Sequence, residues 1–164
     1  MQNKRFPLRY LPYNLTASDR NAQRRMLMRS KRLYTKRKYY TRPSIKSFHS
    51  KPSNHILNAR KIYNVQNITP NNELAQKTGC SLAALRKIVN KGEGAYYSSG
   101  SRPNQTAKSW GLARLASAIT AGKSAAVDYN ILLNGCDHNK LAFRLANKSR
   151  KKYKYGHSST RHER

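Results

Sequence analysis

The chain has 164 residues, with 34 Lys plus Arg against 6 Asp plus Glu, a formal net charge of +28 before histidine is counted. So much like charge repels itself unless anions are matched to it, so the composition calls for a counter-partner: nucleic acid, an anionic membrane face, or acidic patches on another protein. It argues against a membrane-spanning helix, because no run of 18 apolar residues occurs, and six acids leave little for general acid–base catalysis.

Residues 1–64 hold 17 of the cations and one acid, Asp19. The first fifteen, with Pro7 and Pro12, are too polar and proline-rich for a signal core and read as an extended lead-in. Thr16 or Ser18 is placed to cap a helix running to about Tyr34. Ala22, Met26 and Leu33 form its apolar stripe, and Arg and Lys cover the rest. Residues 35–53 read as a basic loop, because Pro43 and Pro52 hold the residues before them out of the helical region. Ser53 or Asn54 then caps a short helix to about Tyr63.

The clearest local grammar lies in residues 69–92. Thr69 is expected as an N-cap with Pro70 in the first helical position. Leu74 and Ala75 face inward, and Gly79 closes the helix in a left-handed cap. Ser81 caps the next helix, which carries Leu82, Leu85, Ile88 and Val89 and is expected to stop at Gly92. A glycine- and serine-rich loop follows over 91–105. Three further helices are expected: Thr106 to Thr120, closed by Gly122; residues 125–134, capped by Ser124 and closed by Gly135; and one capped by Asp137 that dissolves into a basic tail.

The fold class is therefore all-α: a small body of short helices with a long basic extended N-terminal arm and a basic C-terminal tail. The expected divisions are 1–53 for the arm with its one helix, 54–147 for the body, and 148–164 for the tail. The core candidates are Leu74, Leu85, Ile88, Trp110, Leu112, Leu115, Ile119, Val127, Ile131, Leu132, Leu141 and Leu145. At about 1.5–3 kcal/mol each when buried, these stabilise a small domain only marginally, and the N-terminal third is expected to be ordered by what it touches. Cys80 and Cys136 read as two isolated, buried thiols suited to a reducing interior.

Several constellations bear on chemistry. The pair of helices over 70–91 has the small residue and turn glycine of a DNA-reading helix–turn–helix, with Arg86, Lys87 and Asn90 offered to a groove; the plainer alternative is an αα-hairpin inside the body. AGKSAA at 121–126 lacks the upstream glycine and the preceding strand of a phosphate loop. No histidine pairs with a cysteine at metal-finger spacing, so no metal and no cofactor are expected. An enzyme centred on 91–102 would need a concave site lined by Ser98, Ser99 and Arg102; the chain reads instead as a non-enzyme without a small-molecule substrate. The basic runs are 24–40 and 148–152. If about eight of these cations met phosphates, binding would weaken with salt at a log–log slope of about −7. The 11 tyrosines, many set among the cations, suggest packed contact rather than a disordered polycation.

The segment from Lys91 carries a long motif: Lys-Gly-x-Gly-Ala-Tyr at Lys91 to Tyr96, Ser-Ser-Gly-Ser-Arg-Pro at Ser98 to Pro103, and Ser-Trp-Gly-x-Ala-Arg-Leu-Ala-Ser at Ser109 to Ser117. It resembles an uncharacterised family of small basic proteins of large DNA viruses, those of algae and their giant-virus relatives, over about residues 15–135. No activity comes with that family. The resemblance implies a virion component, and with the charge it leads to the expectation of a minor capsid protein on the inner face of an icosahedral shell, made in the reducing interior of the host cell. Its partners would be the major capsid protein and other minor capsid proteins, with genomic DNA or anionic inner-membrane lipid as further candidates. Arg24, Arg25, Lys31, Arg32, Lys36, Arg37 and Lys38 are the residues expected to meet acidic neighbours. Tyr39, Tyr40, Tyr96 and Tyr97 are the expected aromatic anchors, and Arg102 with Trp110 would order the central loop. The alternative is a virion protein that condenses or reads DNA through its arms and through Arg86, Lys87 and Asn90.

Overall fold

The computed structural model describes residues 5–154, and the expected tail beyond Lys154 lies outside them. Among the described residues the fold is all-α. After a 3-10 turn at Leu8–Tyr10 come eight α-helices: α1 Ala17–Thr35, α2 Asn54–Tyr63, α3 Asn72–Thr78, α4 Leu82–Ser98, α5 Ala107–Ala118, α6 Lys123–Val127, α7 Tyr129–Gly135 and α8 Leu141–Tyr153. They form two compact units interleaved along the chain: unit 1 contains residues 5–51 and 93–110, and unit 2 contains 52–92 and 111–154. Unit 1 thus joins the segment before residue 52 to a stretch from the middle of the chain.

Unit 1 has a core of its own. Phe6, Tyr10, Leu11 and Leu27 are buried together, with Trp110 packed against them edge-to-face to Tyr10 at 6.0 Å. Helix α1 begins as expected at Thr16, whose Oγ1 accepts the Asp19 N–H at 3.2 Å. Its inward stripe, however, is Gln23, Leu27 and Ser30 rather than Ala22, Met26 and Leu33. The two polar members fit because each has a carbonyl to bond: Gln23 Nε2 donates to Tyr10 O (3.3 Å) and Ser30 Oγ to Tyr97 O (3.0 Å). The loop after α1 is non-helical as expected, and Asn104 holds it. Asn104 Oδ1 accepts from Ile45 N–H (2.7 Å) while its Nδ2 donates to Ile45 O and Phe48 O. Gly100, at φ +119°, passes where a side chain would press into Leu27 and the Tyr10 ring.

Unit 2 is built on closely packed small residues. Ala59, Ala116, Ala118, Ala125, Ala142 and Ala146 are buried with Leu74, Leu85, Ile88, Leu115, Ile119 and Leu132. Leu112, Ile131 and Leu145 are half-buried, whereas Val127 and Leu141 are exposed and leave the expected core, and Trp110, also half-buried, belongs to unit 1. Tyr63 fills a buried position, its hydroxyl donating to Ile119 O at 2.5 Å, and burial pushes that hydroxyl's pKa well up.

Four expected boundaries change. Asn71, not Thr69, caps α3, its Oδ1 accepting from Leu74 N–H at 2.8 Å, so Pro70 precedes the helix. Helix α4 runs through Gly92 to Ser98, so that stretch is helix where a loop was expected from residue 91. Gly92 is a contact point: a Cβ there would lie 2.6 Å from Gly111 Cα of α5. The helix expected over 125–134 is two helices, α6 and α7, parted at Asp128, whose two carboxylate oxygens accept from Arg114 Nε and Nη2 at 2.7 Å each. Lys140, not Asp137, is the N-cap residue of α8; the Asp137 carboxylate accepts from Asn139 N–H instead.

The cysteines are not isolated thiols. Cys80 and Cys136 are joined as a buried disulfide across 56 residues. The backbones beside it are paired as well: Ser81 N–H donates to Gly135 O (2.7 Å) and Asp137 N–H to Gly79 O (2.8 Å). The α3–α4 turn is thereby fastened to the α7–α8 turn.

Candidate partner-binding surface

All twelve residues expected to bind a partner fall in unit 1. Its described residues carry sixteen Lys or Arg and two acids, Asp19 and Glu93. Asp19 is used internally: the Ser47 hydroxyl and then the Ser47 backbone N–H, the latter at 2.8 Å from Oδ2, hold its carboxyl below the usual carboxylate range.

Helix α1 supplies most of the surface. Arg25, Arg29 and Arg32 are exposed along it, and Lys36, Arg37 and Lys38 are exposed just past its end. Cations at a helix C-terminus interact favourably with the unsatisfied carbonyls there, so the segment is stabilised by the charges it presents. The chain reverses at Arg37, which has φ +57°, with Lys38 N–H donating to Leu33 O at 2.9 Å. That reversal carries Tyr39 back over the helix end. Arg24 and Lys31 are partly covered, and the Lys31 ammonium lies 4.7 Å from the Phe6 ring centre.

The tyrosines form a connected row. Tyr34 and Tyr39 meet edge-to-face at 6.3 Å, Tyr39 and Tyr97 at 5.1 Å, and Tyr97 and Tyr96 edge-to-face at 5.1 Å. Tyr40 lies beside the row with Arg29 over its ring at 4.6 Å. Tyr39 is 68% exposed and Tyr34 is 39% exposed, whereas Tyr96 is fully buried. Tyr96, one of the four expected anchors, is therefore covered and forms the inner footing of the row.

What holds that footing is Arg42, which is 6% exposed. Its Nη1 donates to Tyr96 O and Ser30 Oγ (2.8 and 2.9 Å), its Nη2 donates to Ser101 Oγ (2.8 Å), and its backbone N–H donates to the Tyr96 hydroxyl (2.8 Å). The guanidinium carbon also sits 3.8 Å from the Tyr96 ring centre. Burial lowers its pKa, offset in part by the tyrosines around it, and neutral oxygens and a ring face take the place of a carboxylate. Sequence pattern gave no sign of Arg42, one cation among many in a loop. Arg102 is exposed, and its partial burial followed by the nearby Arg9 cation lowers its pKa.

The second set, Arg86, Lys87 and Asn90, belongs to unit 2, where all three are exposed on α4 behind the Gly79 turn. The helix pair expected over 70–91 does form. Among the described residues no three of His, Cys, Asp or Glu come together as a metal site, and no helix is long and apolar enough to cross a membrane.

Residues 7–140 match a family described as a family of unknown function, DUF5824. No curated protein and no solved structure matches the chain.

Proposed function

We propose that this chain, which belongs to the DUF5824 family, is a non-enzymatic structural protein that fastens to an acidic partner through the tyrosine-lined cationic surface of unit 1. Exposed Tyr39, seated against Tyr34 and Tyr97 and next to Lys36, Arg37 and Lys38, is the observation that carries this reading. A held aromatic ring beside a run of cations is what a protein hot spot requires: apolar area in the centre, with charges that steer an acidic patch into register. The row is pre-organised by Arg42, so little conformational entropy remains to be lost on docking.

Taken with the resemblance of the Lys91–Ser117 motif to small basic proteins of large DNA viruses, the assembly is an icosahedral shell and the role is that of a minor capsid protein on its inner face, contacting the major capsid protein. Amine crosslinking of purified particles tests this. Crosslinks from Lys36 or Lys38 to acidic segments of the shell protein are expected, and recovery of these lysines only on DNA would overturn it.

A second reading, a virion protein that binds DNA, is supported by the exposure of Arg86, Lys87 and Asn90 on one helix. Tight duplex binding at physiological salt, weakened by Arg86→Ala and Lys87→Ala, is the result that would favour it.

A further inference from the structure

Unit 2 contains an open groove of about 330 Å3 between α4 and α7. Lys87 and Lys91 line one side, one helical turn apart on α4. Asn130 and Asn134 line the other, also one turn apart, on α7. All four are exposed. Ser81, Ala83, Ala84, Ile131 and Gly135 complete the lining, and no acid is among them. The groove owes its floor to close helix approach: a Cβ on Gly135 would collide with the Cβ of Ala84.

We propose that this groove is a binding site for the phosphodiester backbone of a nucleic-acid strand. Four side chains with N–H donors converge on it in two ranks. Residues i and i+4 on each helix are separated by about 6 Å along the axis, so each rank presents two donors in file, as a chain of repeating anions requires. Lysine and asparagine are ordinary phosphate ligands. Asp128, which the Lys91 ammonium approaches at 3.9 Å, has its side chain fully covered and both oxygens bonded to Arg114, so Lys91 is a second cation about a carboxylate that is already matched. The groove is consequently positive. With Ile131 as its one larger apolar side chain, it offers a peptide no deep pocket for an anchor. This site rests on the DNA-binding reading, with which it shares Lys87, and takes no residue from the tyrosine surface of unit 1, so either can fail without the other.

A polycation binds any polyanion, so the test must separate the groove from net charge. Fluorescence anisotropy with a short labelled oligothymidine strand would be run on the full chain, with unit 1 unaltered. The charge-neutral variant N130A/N134A is expected to lose affinity several-fold with an unchanged salt slope. K87A/K91A is expected to lose affinity and to reduce the magnitude of the log–log salt slope by about 1.4, two single-strand contacts at about 0.7 each. K148A/K151A, altered on α8 outside the groove lining, is expected to lose less. An oligoaspartate probe is expected to be insensitive to N130A/N134A. Wild-type strand affinity in N130A/N134A, equal losses in the two lysine pairs, or equal sensitivity of the oligoaspartate would each overturn the assignment.

Discussion

The Arg42 guanidinium stacks 3.8 Å from the Tyr96 ring centre and donates to that residue's carbonyl, while the Tyr96 hydroxyl accepts the Arg42 backbone N–H. The two residues are 54 positions apart and enclose each other. Together they tie the loop after α1 to the end of α4 within unit 1, and so set where Tyr97 and Tyr39 stand.

Replacing Arg42 removes donors from Ser30, Ser101 and the Tyr96 carbonyl at once. Arg42→Ala is expected to destabilise the protein by about 2–4 kcal/mol, the range for buried polar groups left unpaired. Arg42→Lys is expected to recover only part of this, because a single ammonium cannot span three acceptors set around a planar fork. Denaturant unfolding followed by tyrosine fluorescence measures both. Wild-type stability in Arg42→Ala would show that the buried network contributes nothing.

The two glycines of α4 should respond in opposite directions. Gly92→Ala gains about 1 kcal/mol of helix propensity but drives a methyl onto Gly111, and overpacking of this kind costs about 1–3 kcal/mol; a net loss is expected. Gly94 has nothing within 4 Å of an added Cβ. Gly94→Ala is therefore expected to stabilise by about 0.5–1 kcal/mol. Thermal melts of the two variants decide the matter, and a shift of the same sign in both contradicts the packing described.

These glycines also show where sequence grammar stops. Capping is chemistry between near neighbours, so Thr16, Gly79 and Ser81 could be placed from sequence. Gly92 matched a helix terminator equally well, and only the approach of α5 shows that the missing side chain makes room for Gly111. The inward stripe of α1 was misplaced for a related reason. Gln23 and Ser30 become core residues once Tyr10 and Tyr97 bring carbonyls to them, and no periodicity of apolar residues reports that. The surface cations and Tyr39 were legible as a cluster because they are consecutive. Arg42 and the Cys80–Cys136 pair were not, because Tyr96 and Ser101 lie more than fifty residues from Arg42, as Cys136 does from Cys80.

The disulfide closes a 56-residue separation, for which chain-entropy reasoning gives about 4 kcal/mol. Reductant is expected to lower the melting temperature of the wild type, and C80S/C136S is expected to melt low with no response to reductant. Equal melting of the wild type with and without reductant would show that the bond does not stabilise unit 2.

Asp19 gives unit 1 an acid-sensitive clasp. Its folded pKa is depressed by the Ser47 hydroxyl and N–H. The stabilisation is therefore fully present above the ordinary carboxylate value of about 3.9 and is lost as pH falls through the lower folded value. Asp19→Asn is expected to be less stable than wild type at neutral pH, with the difference shrinking as the solution is acidified below pH ~4. A difference that stays constant or widens in acid contradicts the Ser47 contact.

The exposed surface should separate binding from folding. Tyr39→Ala alone is expected to leave stability within about 0.5 kcal/mol, and Lys36→Ala with Arg37→Ala and Lys38→Ala to cost about 1 kcal/mol through the lost interaction with the helix C-terminus. Tyr39→Ala is expected to weaken partner binding by about 1–2 kcal/mol as a truncated aromatic anchor. Calorimetric melting beside pull-down of shell protein checks both halves.

The claim that unit 1 docks on shell protein is tested most directly by imaging intact particles at a resolution that shows side chains. The account predicts density for this chain at symmetry-related positions beneath the shell, with Tyr39 and the Lys36–Lys38 segment against acidic residues of the neighbouring capsid subunit. Finding the chain only within the packaged genome, or on the shell with that surface facing away from every neighbour, would contradict it.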